Sequence, residues 1–321
     1  MADEAQVSQV GPSTKDMAGG GTFVRSQYAF GGWIRGSGGD FPADPGRYTL
    51  YVSHACPWCH RVMIVRSLLG LEDFLPVIVA DPIRDERGWA FRDGPGHTPD
   101  TRNGLTFLSE AYLATDPGFV GRYTVPAIWD PRSRRIVSNR FDDMTIMLET
   151  ELTAFHRHPL DLYPAALRPE IDELNARMYR MFNNGVYRAG FSTTQAAYEA
   201  AYDDVFAMLD EMEARLARSR YLVGNRLTEA DVHAFPTLVR FDSVYATHFK
   251  CNRRRIVDYP NLWAYTRDLY QRPAFGGTTD FDHIKRHYYM THGHINPTRI
   301  VPKGPDLDWA APHGREALGS G

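Results

Sequence analysis

Residues 54–61 read His-Ala-Cys-Pro-Trp-Cys-His-Arg, and no other segment constrains the chain as much. A strand-like run, Tyr48-Thr49-Leu50-Tyr51-Val52, precedes the octet, and a helical pattern, Val62-Met63-Ile64-Val65-Arg66-Ser67-Leu68-Leu69, follows it. A Cys-Pro-x-Cys at a strand-to-helix junction puts a thiol among unpaired backbone N–H groups at the positive end of a helix, where a thiolate is favoured. The thiolate is the nucleophile in sulfur exchange, so the segment predicts thiol chemistry.

Length and composition narrow the rest. A chain of 321 residues suits two domains or one large one, and 43% hydrophobic with 23% charged residues is a globular balance. A net charge of -3 gives no case for nucleic acid as a partner. No apolar run is long enough to span a bilayer, and residues 1–21 lack the basic-then-apolar layout of a signal peptide. Three cysteines cannot all pair within one chain, and Cys56 and Cys59 are too close to staple a fold. The expectation is a cytoplasmic protein that uses cysteine for reactivity.

Four regions are expected along the chain. Residues 1–22 are small, polar and end in a glycine run, which predicts a flexible tail. Residues 23–150 read as an α/β domain. Its first strand starts near Tyr48, a second covers Phe74–Ala80, and a hairpin joins 125–130 to 135–138 across Pro131-Arg132-Ser133-Arg134. Strand, helix, strand, hairpin is the thioredoxin order. The intervening stretch 81–123 exceeds what that order needs and predicts a loop around the site. Residues 165–295 read as an all-helical domain, with stripes at Ile171, Leu174, Met178, Met181 and Phe182, and at Tyr198, Tyr202, Val205, Phe206, Leu209 and Met212. Leu227-Thr228-Glu229-Ala230-Asp231-Val232 carries a helix-start signal: Thr228 to cap, Asp231 to reach back, Leu227 to staple against Val232. Residues 296–321, rich in Pro and Gly, predict an extended tail.

The chain resembles the glutathione transferase superfamily and, within it, the Xi class of glutathionyl-hydroquinone reductases. The resemblance rests on Cys56-Pro57-Trp58 with His60-Arg61, Gly88-Trp89-Ala90-Phe91, Gly121-Arg122-Tyr123-Thr124-Val125-Pro126 and Tyr187-Arg188-Ala189-Gly190-Phe191. It continues through Leu227–Asp231, 238–245, 248–252, 283–289, Asn296-Pro297-Thr298 and Gly304-Pro305. It implies the glutathione transferase fold: a thioredoxin-like N-terminal domain that binds a small thiol, and an all-α C-terminal domain that supplies an aromatic pocket. It further implies that the Cys56 thiolate attacks the sulfur of a thiol–hydroquinone conjugate, that the ring carbon takes a proton, and that a second thiol resolves the mixed disulfide. Glutathione or another low-molecular-weight thiol is then the co-substrate, a small aromatic quinone conjugate the substrate, and a homodimer the expected assembly.

Carried over residue by residue, the resemblance makes Trp89, Arg122, Val125 and Pro126 the thiol-binding candidates, with Pro126 as a cis proline. Tyr187 and Tyr288 are candidate proton donors, since a phenol can serve a leaving ring carbon. Tyr198 and Tyr245 are candidates for the substrate pocket. Cys59 is a candidate resolving thiol, set against inert packing because the family reaction uses an external thiol. Cys251 reads as structural. His283, His287, His292 and His294 match no ligand pattern, so no metal site is expected, and Lys250 with Arg253, Arg254 and Arg255 reads as a surface or dimer feature.

One segment departs from the family. Where relatives carry Asn-Glu-Ser after the fourth strand, holding the glutamyl end of glutathione, this chain reads Asn139-Arg140-Phe141. A cation and an aromatic ring do not replace an acid and a hydroxyl, which points to a different thiol, such as sugar-based mycothiol. Two other readings remain open: an Omega-like thiol transferase or dehydroascorbate reductase, and a non-catalytic transferase-fold protein of stress response or interaction.

Overall fold

The structure, a computed structural model, describes residues 7–12 and 16–319. The expected flexible tail therefore falls partly outside the described residues, at 1–6 and 13–15. The described residues divide into two units: 7–12, 26–160 and 280–301 in one, and 16–25, 161–279 and 302–319 in the other.

The first strands among the described residues are a short antiparallel pair, β1 (Met17–Ala18) and β2 (Thr22–Phe23), where a flexible tail was expected. Gly20 and Gly21 close its turn at φ 80° and 81°, a region open to glycine. The pair belongs to the second unit: Thr194 Oγ1 donates to the Gly20 carbonyl (2.6 Å), and Phe23 meets Phe191 edge-on. Polarity and small residues hid this ladder, which a docking surface far along the chain supplies.

The first unit is built on a four-stranded sheet in the order β4-β3-β5-β6. Strand β3 (Thr49–Val52) is buried throughout, as a central strand covered on both faces must be. Helix α1 (Pro57–Leu68) crosses over to β4 (Val77–Val79), which runs parallel to β3 with Leu50 opposite Val77. Within the expected loop 81–123 lies an eight-residue helix, α2 (Leu108–Thr115), too short for periodicity to reveal. Strands β5 (Ala127–Asp130) and β6 (Arg135–Ser138) form the expected hairpin, β5 pairing antiparallel with β3 and β6 antiparallel with β5. The Asp130 carboxylate organises its turn, accepting from Arg132 N (3.1 Å) and Ser133 Oγ (2.7 Å). Helix α3 (Phe141–Thr150) follows and packs on α1.

The second unit is helical. Helix α4 (Arg168–Met178) widens into a π-helical turn, Tyr179–Asn183, before α5 (Gly185–Phe191). Helix α6 (Gln195–Leu216) runs 22 residues, capped by Thr194. Helix α7 (Glu229–Arg240) is buried on every side and ends in a second π-helical turn, Phe241–Tyr245. Helices α8 (Pro260–Tyr270) and α9 (Pro273–Gly276) complete the unit. The start signal read at Leu227–Val232 works through Asp231, whose carboxylate accepts from Thr228 N (2.8 Å), Leu222 N (3.0 Å) and Tyr265 Oη (2.6 Å). Residues 302–319 carry no strand, end in a 3-10 turn at Arg315–Leu318 and are tied down: buried Arg315 donates to the carbonyls of Leu216, Ser219 and Arg220 and so caps the negative end of α6.

The chain returns to the first unit in α10 (Phe281–Thr291), which the sequence groups with the helical domain. His283 Nε2 lies 2.7 Å from the Pro95 carbonyl and His287 Nδ1 lies 2.6 Å from the Pro82 carbonyl, bonding α10 to the 81–123 segment. The i, i+4 histidines thus face one loop. Among the described residues no group of three or more His, Cys, Asp or Glu is placed to hold a metal.

Candidate active site

Cys56 caps α1. Its backbone is extended (φ −78°, ψ 121°), Pro57 opens the first turn, and the Cys59 N–H points at Cys56 Sγ from 3.5 Å. Proline belongs at this position because its missing N–H would have had no helical partner and its φ is already helical. Cys56 Sγ also lies 3.6 Å from the Val125 carbonyl, to which the thiol form donates. The two contacts divide the protonation states. The carbonyl serves only S–H, whereas the Cys59 N–H and the helix end stabilise negative charge on sulfur. The residue as a whole retains 9% of its surface.

The Val125–Pro126 bond is cis, as expected. Trp89 is buried within the 81–123 segment, its ring stacked on His287 (5.3 Å, 17°) and lying 4.8 Å from the Arg84 guanidinium. The segment that carries Trp89 is anchored to the sheet. Tyr51 Oη donates to Asp100 (2.6 Å) and accepts from Asn103 Nδ2 (2.8 Å). Burial, followed by the bond to Asp100, pushes the Tyr51 phenol far up, so it stays a donor. Arg122 bonds the Gly11 carbonyl. Tyr288 is buried in the same unit, against the rings of His287 and His292.

Cys59 is 1% exposed on the first turn of α1. Cys251, in the second unit, is fully buried, and burial pushes its thiol up to about 12, which makes it inert.

The helical unit gathers Tyr187 with Tyr245 (6.0 Å), Phe191 and Phe249, and the Arg25 guanidinium lies 4.8 Å from the Tyr187 ring centroid. Each of the two π-helical turns adjoins this cluster, one just before Tyr187 and the other ending at Tyr245. Widened turns of this kind recur where a helix is bent to present a functional side chain. Tyr198 makes its ring contact with Tyr202, and its hydroxyl donates to the Lys250 carbonyl (2.7 Å).

Sequence reasoning missed one constellation beside Cys56. Phe141 is buried and stacks on Trp58 at 4.5 Å and 18°. The buried Arg61 guanidinium lies 4.8 Å from the Trp58 ring and 5.3 Å from Phe141, and bonds Asp142 at 3.1 Å. Arg140 is half-exposed and pairs with Asp143 at 2.9 Å. The motif Cys-Pro-Trp-Cys-His-Arg contained the signal: Trp58 and Arg61, three apart on α1, share a helix face.

Comparison with known proteins places these features. Family models describing the glutathione S-transferase N-terminal and C-terminal domains match residues 55–151 and 195–268. The chain is 48% identical over 305 residues to glutathionyl-hydroquinone reductase YqjG of Escherichia coli K12, covering 92% of this chain and 93% of that protein. It is 46% identical over 286 residues to glutathionyl-hydroquinone reductase PcpF of Sphingobium chlorophenolicum, covering 89% and 90%. The glutathione-bound structure of YqjG superposes with a TM-score of 0.87, covering 90% of this chain and 96% of the other. A Xi-class transferase from Natrialba magadii, 46% identical, gives 0.88 over 90% and 89%. A capping cysteine, a cis proline beside it and a helical unit, shared along nearly the whole length with such relatives, place this chain in the Xi class of the glutathione transferase superfamily.

Proposed function

We propose that the chain is a thiol-dependent reductase that removes a low-molecular-weight thiol from thiol–hydroquinone conjugates. The observation that carries this reading is Cys56 Sγ at the cap of α1, facing the Cys59 N–H. The Cys56 thiolate attacks the conjugate's sulfur, the sulfur–ring-carbon bond breaks with its electron pair going to the ring, and that carbon takes a proton. Hydroquinone leaves, and Cys56 is held as a mixed disulfide. A second thiol then attacks, leaving as a symmetrical disulfide with the first and restoring Cys56. Tyr288 and Tyr187 are the proposed proton donors, Tyr245 and Tyr198 the proposed pocket residues, and Trp89, Arg122, Val125 and Pro126 the proposed thiol wall. A homodimer in the cytoplasm completes the proposal, and sedimentation would report its mass. Incubating the protein with the conjugate alone and measuring intact mass tests the core of it: an adduct confined to Cys56 is expected, and its absence ends the reading.

The relatives are named for glutathione conjugates, and glutathione is the first thiol to test. Arg140 and Phe141 favour another. A half-exposed cation and a ring already stacked on Trp58 do not supply the acceptors that an ammonium group needs. A mycothiyl conjugate is expected to be turned over faster than the glutathionyl one, and the double variant R140E/F141S to reverse that order. Equal rates, or a preference for glutathione in the unaltered protein, would remove the proposal of a different thiol and leave the reductase reading intact. Cys59 could instead resolve the disulfide internally. Unchanged turnover in Cys59→Ala would assign that step to the external thiol.

A further inference from the structure

Residues 7–12, at the start of the first unit, run against the segment that precedes the cis proline, and one buried side chain makes the junction. Gln9 is 3% exposed. Its Oε1 accepts from Tyr123 N (3.0 Å) and its Nε2 donates to the Gly121 carbonyl (3.1 Å). Those two backbone groups flank Arg122. They are the pair that a neighbouring strand would engage, and bonding both constrains the peptide units on either side of residue 122. The same short segment also holds the Arg122 side chain, whose guanidinium bonds the Gly11 carbonyl.

The amide is itself fixed. Gln9 N donates to Glu86 Oε2 (3.1 Å), Gln9 Nε2 also donates to the Val7 carbonyl (3.0 Å), and Ser8 Oγ lies 3.4 Å from Glu86 Oε1. Gly11 N then bonds Ser8 Oγ (3.4 Å), folding the segment back toward Arg122. Three parts of the unit therefore meet at one glutamine: residues 7–12, the Glu86 turn that leads to Trp89, and the Gly121–Tyr123 backbone that leads to Val125–Pro126.

We infer that Gln9 is a positioning residue for the thiol co-substrate: it acts as a surrogate strand that sets the backbone at Arg122 and so aims the Arg122 guanidinium for the thiol. The inference rests on the reading of Arg122 as a thiol-binding residue. It makes residues 7–12 part of the site rather than an appendage. A primary amide is suited to this task because it holds an acceptor and two N–H donors in one plane: the acceptor and one donor match an N–H and a carbonyl two residues apart, and the second donor ties the amide back to Val7.

The test compares Gln9→Leu, Gln9→Glu and Glu86→Ala in the full-length protein, with steady-state kinetics in the resolving thiol and amide exchange across residues 118–126. Leucine removes both bonds, glutamate keeps the acceptor and loses the donor, and Glu86→Ala frees the arm from an exposed site without altering the buried amide. In Gln9→Leu, KM for the thiol is expected to rise about tenfold with kcat within about twofold, as for lost positioning of a binding group. Gln9→Glu and Glu86→Ala should follow in the same direction with smaller rises, and exchange at 121–125 should quicken in each. Adding Gln9→Leu to Arg122→Ala should raise KM no further than Arg122→Ala alone. Unchanged exchange and unchanged KM in Gln9→Leu and Glu86→Ala would overturn the inference. Should Arg122→Ala leave KM alone while exchange still quickens in Gln9→Leu, the thiol role of Arg122 fails and the backbone clamp stands without a function.

Discussion

A serine at position 56 would keep the cap of α1 and lose the chemistry, because a hydroxyl at neutral pH is far less ionised than a thiol in the same position. Cys56→Ser is expected to lower turnover of the conjugate by at least about a thousandfold while leaving thermal unfolding nearly unchanged. The three thiols should also separate by reactivity. With its thiol pushed up to about 12 by burial, Cys251 should resist iodoacetamide at neutral pH until the protein unfolds, whereas Cys56 reacts first, as peptide mass mapping would show. Asp130 behaves in the opposite sense. Burial pushes its carboxyl up, but the paired bonds from Arg47 (3.0 and 2.7 Å) and that from Ser133 outweigh burial and bring it to about 2. Its folded value is depressed, so its contribution is present above the ordinary 3.8 and lost as pH falls toward 2. Asp130→Asn should cost about 2 kcal/mol at pH 7 by urea unfolding and flatten the acid limb of the stability curve.

Among the elements, α7 shows how a readable signal gains weight from its surroundings. The pattern Leu227–Val232 announced a helix start, yet Asp231, the acid of its capping box, also accepts bonds from Leu222 and Tyr265 that no local pattern could contain. Burial raises the Asp231 carboxyl, so proton binding favours the folded state below the ordinary carboxylate range, and that contribution is lost as pH rises through the folded value. Asp231→Asn should therefore cost less at neutral pH than Asp231→Ala, which leaves several buried donors unanswered and should cost about 3 kcal/mol in urea unfolding. Helix α10 is the contrasting case. Its period was readable, but its partner was not: His283 and His287 bond carbonyls roughly two hundred positions earlier in the chain.

The whole molecule is interleaved. Residues 16–25 and 302–319 belong with the helical unit, while 280–301 belong with the sheet. A chain ended after Thr279 would keep the β-sheet and lose both histidine bonds to Pro95 and Pro82, along with the ring stacked on Trp89. Amide exchange in such a chain is expected to rise first across 81–97, ahead of β3 and β5. Uniform loss of protection across the sheet would instead mean that α10 supports the unit as a whole.

The sequence by itself determined the succession of strands and helices in the first unit, the helical half, the start of α7 and the cysteine that caps α1, because periodicity, proline placement and capping are local and leave a local record. Only the tertiary structure decided where Phe141 goes, which carbonyls the histidines of α10 meet, and that residues 7–12 lie against the Arg122 segment. Each of these depends on a partner distant in the chain, and a ring or an amide carries no mark of which distant surface will bury it.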